Sequence, residues 1–156
     1  MGVTQTRISC KHVSKLSPRE YGQCKRLTMG DEGEMRGCLE DARRYDRMML
    51  LAPGASYTPG QVLLLRATAS GKLLGWCLFD GRTRGSAQIF VHPRWRRRGL
   101  GTRLMRKLLS VRPDVSFGAW DESSYTFFKT VTRKLNVQCA INECGYYPPH
   151  EEDEDW

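Results

Sequence analysis

The chain has 156 residues, 25 Lys and Arg against 17 Asp and Glu, a net charge of +8 and 40% hydrophobic side chains. That length fits one domain with a core of its own, and no apolar run approaches the roughly 18 residues a membrane-spanning helix needs. The charge is uneven: EEDED at 151–155 is wholly acidic, while residues 1–150 hold 25 basic and 12 acidic side chains, a net of +13.

The segment TRISCKHVS (6–14) suggests a first strand. SPRE (17–20) is a helix start, with Ser17 as N-cap, Pro18 in the first turn and Glu20 closing a capping box; the helix runs to about Leu27. A second helix spans roughly 33–48, despite Gly37. APGASYTPGQ (52–61) reads as a loop from its Pro and Gly content. VLLLRAT (62–68), KLLGWCLFD (72–80) and SAQIFVH (86–92) read as strands of a meander joined by short turns. Leu100, Leu104 and Leu108 recur at helical spacing with Met105 and Leu109, and Arg103, Arg106 and Lys107 fall on the other face. VSFGAW (115–120) is a strand, SSYTFFKTVTRKL (123–135) a helix and VQCAINE (137–143) a last strand. The order β α α β β β α β α β is mixed α/β. A single domain over 1–147 and an acidic, disordered tail over 148–156 are expected. The tail is there for solubility, or it shields a basic surface until a polyanion displaces it.

Six cysteines, at 10, 24, 38, 77, 139 and 144, form no CxxC pair, and the N-terminus has no apolar signal region. Reduced, mostly buried thiols and a cytoplasmic location are expected. The start Met-Gly with Thr6 matches a short myristoylation pattern that arises often by chance. Cys139, Cys144 and His150, with Cys10 or His12, are too loosely spaced for a zinc site, so no metal is expected.

The stretch IFVHPRWRRRGLGTRLM (89–105) sets three mutually repelling arginines beside two glycines, between a strand and a helix. The first N–H groups of a helix lack internal partners and carry partial positive charge. Glycines let backbone approach a ligand closely. Together these make an anion cradle, although neither a P-loop nor GxGxxG is present.

The frame V-x-P-x-x-R-x-x-G-x-G-x-x-L over Val91–Leu104 resembles the acyl-CoA-binding motif of the GNAT superfamily of N-acetyltransferases, and the element order resembles it over about residues 6–143. The resemblance implies a GNAT-like fold, a central, mostly antiparallel sheet whose fourth and fifth strands splay, with flanking helices. It implies acetyl-CoA as acyl donor, its pyrophosphate on the N–H groups of Arg96, Arg97, Arg98, Gly99, Leu100, Gly101 and Thr102, with arginine side chains adding contacts. It leaves unpaired backbone at Ile89, Phe90 and Val91 for the pantetheine amides, with an N–H near Val91 as oxyanion hole. Ser124 and Phe128 align with cofactor-side positions of the helix after the fifth strand.

Two catalytic positions depart from the family pattern. The glutamate slot is Ala87, flanked by Ser86 and Gln88, and the tyrosine slot is Phe128, which cannot donate a proton. Tyr125, three residues earlier on the same helix, and Glu122 are the substitutes; Asp121 and His92 are the other nearby groups. Three functions follow from the resemblance: acetyl transfer to a primary amine of a protein or small molecule, transfer to a nucleic-acid-linked amine, and a non-catalytic acyl-CoA-binding module. The expected partners are acetyl-CoA and an amine acceptor, with no membrane and a homodimer left open.

Overall fold

The computed structural model describes residues 5–28, 33–50, 60–80, 86–119, 122–138 and 141–143. The expectations for the loop up to residue 59, for the tail, and for Trp120, Asp121, Cys139, Cys144 and His150 lie outside the described residues.

The chain folds as a mixed sheet in sequence order. Strands β1 (Thr6–His12), β2 (Gly60–Ala67), β3 (Leu73–Asp80) and β4 (Ser86–Val91) pair antiparallel, then β5 (Ser116–Ala119) and β6 (Ile141–Glu143) pair parallel. Helices α1 (Pro18–Leu27) and α2 (Gly33–Leu50) follow β1; α3 (Leu100–Val111) joins β4 to β5, and α4 (Glu122–Leu135) joins β5 to β6. Parallel neighbours need such a crossover, and both helices supply one.

Strand β2 explains the layering. Leu63, Leu65 and Ala67 enter one core, with Leu100, Leu104, Met105 and Leu108 of α3 and Phe128 and Val131 of α4. Val62 and Leu64 enter the other, with Cys24 of α1, Leu39 and Ala42 of α2, Trp76, Leu78 and Phe90. A strand covered on both faces reads as a continuous apolar run, as VLLL does. Each fully buried leucine on the inner stripe of α3 contributes roughly 1.5–3 kcal/mol through the area it removes from water.

The helix signals act locally. Ser17 Oγ accepts from the Glu20 N–H at 3.1 Å, and the Glu20 carboxylate accepts from the Ser17 N–H at 3.0 Å. Strand β1 stops at His12 because Val13–Lys15 form a 3-10 turn that buries Val13. The last strand begins later than expected. Asn136 takes a left-handed φ of 55°, and the Val137 N–H donates to the Thr132 carbonyl at 3.0 Å. Val137 therefore closes the end of α4 instead of opening a strand.

Candidate functional site

Strands β4 and β5 are paired only at Ser86↔Ser116 and Ala87↔Phe117. Beyond Ala87, β4 keeps its ladder with β3 while β5 continues its ladder with β6 to Ala119. From Gln88 onward the facing edges of β4 and β5 are unpaired among the described residues. The His92 N–H donates to the Leu74 carbonyl at 2.9 Å, which fixes the parity of the β3–β4 ladder. Residues opposite one another alternate between bonded and non-bonded pairs. Phe90, opposite Trp76, therefore turns its main-chain groups to β3, and Ile89 and Val91 turn theirs to the gap. The sequence alone placed all three on the gap; the register leaves two of them facing it.

The Arg-Gly turn follows at once. His92 Nδ1 accepts from the Arg94 N–H at 3.2 Å, starting a 3-10 turn over Pro93–Trp95. Arg97 and Gly99 both have positive φ, 64° and 80°. A left-handed residue followed by a right-handed one turns successive N–H groups toward one concavity, a nest for an anion. Gly99 is the N-cap of α3 and offers no side-chain cap, and the first turn holds no acid. The leading N–H groups of α3, at Leu100, Gly101 and Thr102, are thus without a carboxylate or hydroxyl from the cap. A Cβ at Gly99 would touch nothing within 4 Å, so its backbone angle is the reason for glycine. Gly101 differs: a Cβ there would lie 2.7 Å from Phe127 Cζ. Its bare α-carbon lets α4 approach α3, a packing contact the sequence reading missed.

The three arginines divide their work. Arg96 Nε donates to the Val91 carbonyl at 2.7 Å, and its guanidinium carbon lies 5.4 Å from the Phe90 ring centre. Arg98 stacks over Trp95 at 5.0 Å. Arg97 is exposed on the left-handed residue itself. Arg103 points elsewhere, its Nη1 donating to the Thr6 hydroxyl and tying α3 to β1.

On α4, Glu122 is an exposed first-turn acid and Ser124 is half-buried. Tyr125 is half-buried against the α3–α4 core, with Lys129 Nζ 5.3 Å from its ring centre. Phe128 is 2% exposed and stacks on Phe117 at 4.9 Å, deep in the same core. Ala87, in the glutamate slot, is fully buried. Two open cavities of about 390 and 260 Å³ lie away from the turn, lined by Cys10, Lys11, His12, Lys15 and Gln61 and by Tyr21, Glu40, Arg43, Arg44 and Arg47. Among the described residues no three His, Cys, Asp or Glu side chains group to hold a metal, and no helix is long and apolar enough to cross a membrane.

Residues 59–135 match the family model described as Acetyltransferase (GNAT) domain. The chain carries a GNAT domain. Among solved structures, it resembles a candidate acetyltransferase from Deinococcus radiodurans R1, at 16% identity and TM-score 0.51, covering 98% of this chain and 93% of that one. It also resembles the Campylobacter jejuni N-acetyltransferase PseH in complex with acetyl coenzyme A, at 13% identity and TM-score 0.50, covering 93% of each. Glucosamine-6-phosphate N-acetyltransferase from Arabidopsis thaliana matches at 13% identity and TM-score 0.47, covering 94% of this chain and 99% of that one. At these identities the first two likenesses are of fold alone. Among curated proteins, none matches this sequence. The GNAT fold expected from the Arg-Gly frame is the fold observed, and acetyl-CoA is the acyl donor of the family.

Proposed function

We propose that this GNAT domain moves the acetyl group of acetyl-CoA to a primary amine by direct attack on the thioester. The observation that carries the reading is the junction of two features. Among the described residues the β4 edge that faces β5 is unpaired beyond Ala87, and it leads straight into a nest of main-chain N–H groups at Arg97–Thr102. A diphosphate on a pantetheine arm matches that order of elements: anion at the helix start, amides along an open strand edge.

Each residue's part follows from its place. Main-chain N–H groups of Arg97–Thr102 hold the pyrophosphate, and Arg97 and Arg98 add charge around it; the Arg96 N–H, expected from sequence to join them, instead donates to the Pro93 carbonyl at 3.3 Å. Val91, next to the nest, offers its main chain to the pantetheine amides. The Ile89 N–H, farther along the same open edge, donates to the thioester oxygen as it becomes an oxyanion, in place of the group near Val91 expected from sequence, a contact worth about 2.7–4 kcal/mol in comparable sites. The acceptor amine must first lose a proton, since an ordinary lysine ammonium has a pKa of about 10.4. Glu122 is the base for that step and Tyr125 the acid that returns a proton to the departing thiolate. Much of the remaining rate comes from holding amine and thioester together.

The net of +13 over residues 1–150 favours a second reading, in which the amine belongs to a nucleic acid such as an aminoacyl-tRNA. One experiment addresses both. Wild type and Gly99→Glu are incubated with acetyl-CoA and peptide, small-amine and tRNA acceptors, and products are weighed by mass spectrometry. Acetylated product from wild type alone supports the reading. Product from both overturns the cofactor site, and acetyl-CoA binding without any product leaves a binding module in its place.

A further inference from the structure

Among the described residues, two sheet side chains on the face that α1 and α2 cover have a buried polar atom without a hydrogen-bond partner. The atoms are the indole Nε1 of Trp76 and the amide Oε1 of Gln88. Trp76 and Phe90 share the α1–α2 core, and Ala87 and Val91 share the opposite one, so alternation places Gln88 with Trp76. Trp76 stands opposite Phe90 and Leu78 opposite Gln88, which makes Trp76 and Gln88 diagonal neighbours, about 7–8 Å apart at the backbone. One is a pure donor and the other an acceptor, so the two buried ends are complementary in kind. Gln88 is also the first β4 residue beyond the last rung to β5. Its oxygen is enclosed, but its residue is only half-buried. The end of the amide left to meet a ligand is therefore the NH2 group, a double donor.

Resting on the acetyl-transfer reading above, we propose that Gln88 selects the acceptor. Its amide keeps its oxygen inward on the Trp76 side and presents N–H outward at the closed end of the β4–β5 gap. A double donor repels an ammonium and wants an oxygen. The acceptor class this favours is an amine with a carbonyl, carboxylate or hydroxyl oxygen on the adjacent carbon, such as a peptide N-terminus or an amino sugar. A lysine side-chain amine, flanked only by methylenes, gives Gln88 nothing to bind.

The test is kcat/KM for wild type, Gln88→Leu, Gln88→Glu and Trp76→Phe with an alanyl peptide amide, glucosamine and a lysine-containing peptide with a blocked N-terminus. Acetyl-CoA affinity is measured in parallel by calorimetry. The expected result is that wild type prefers the oxygen-flanked amines at least tenfold. Gln88→Leu and Gln88→Glu should erase that preference through KM for the acceptor, Trp76→Phe should weaken it, and acetyl-CoA affinity should stay unchanged in all three variants. A preference for the lysine peptide, no turnover of any oxygen-flanked amine, or an equal fall on every acceptor would overturn the proposal. Loss of acetyl-CoA binding in wild type itself would instead sink the cofactor reading.

Discussion

Arg96 reaches back from the turn and donates through Nε to the main-chain carbonyl of Val91, at 2.7 Å. The residue that begins the Arg-x-x-Gly-x-Gly signature therefore holds the last residue of β4. It fixes the angle between the open strand edge and the N–H nest. Arg96→Ala should raise the acetyl-CoA KM about tenfold. A hydrogen bond to a charged group contributes roughly 1.5–3 kcal/mol, less where the group is exposed as here, so a fall in Tm of a few degrees is expected. Arg96→Lys should not restore affinity, because a point charge lacks the planar reach of the guanidinium. Calorimetry and thermal melts on the two variants check both effects.

The two glycines of the signature should fail for different reasons. At Gly99 the cost of a side chain is its left-handed backbone, about 1–2 kcal/mol for Gly99→Ala, with no neighbour to relieve. At Gly101 the cost is the Phe127 ring, about 1–3 kcal/mol of overpacking set against roughly 1 kcal/mol of better helix propensity. Phe127→Leu should therefore rescue Gly101→Ala and leave Gly99→Ala unchanged. Urea denaturation of the two double-mutant cycles reads this as coupling in one pair and additivity in the other.

Tyr125 and Phe128 lie on one helix but only Tyr125 reaches the surface. Tyr125→Phe should lower kcat at least tenfold with the acetyl-CoA KM unchanged, the mark of a lost general acid. Phe128→Tyr should not add activity. Its hydroxyl would enter the stack with Phe117 and cost about 1–3 kcal/mol as an unpartnered polar group. Steady-state kinetics and melts separate the two outcomes.

Burial pushes the Cys24 thiol up to about 12 from its ordinary 9.0, and the fully enclosed Cys77 thiol is also raised by burial. Below pH 9 the folded and unfolded chains both hold these protons. Above it the unfolded chain loses them first, so stability should fall as pH rises from about 9 toward 12. Cys24→Ala should make the fall in urea midpoint between pH 8 and 10.5 shallower. In the folded protein at pH 8, Cys10, which is exposed, should react with a disulfide reagent before Cys24 or Cys77.

What the sequence shows of this fold is what short-range chemistry decides. Ser17 and Glu20 declare their helix, VLLL its two covered faces, and Gly99 its turn. The rest depends on contacts between distant segments. Nothing local says that Phe127 will press on Gly101, or that Asn136 will end α4 in a left-handed cap and take Val137 with it. Which of Ile89, Phe90 and Val91 face the gap is a matter of register with β3, and one residue of slip would reverse it. Gln88 was passed over in sequence as a neighbour of the glutamate slot that is no base. Only its enclosed oxygen, on the Trp76 side of the sheet, singles it out.

The central claim is that main-chain N–H groups between Arg97 and Thr102 grip the pyrophosphate of coenzyme A. Titrating isotope-labelled protein with coenzyme A while following amide resonances tests it residue by residue. The largest saturable shifts should fall on Arg97–Thr102, with Ile89 and Val91 moving at the same midpoint, and Gly99→Glu should abolish all of them. Saturable binding that leaves those amides still and moves others would contradict the account, as would no binding at all.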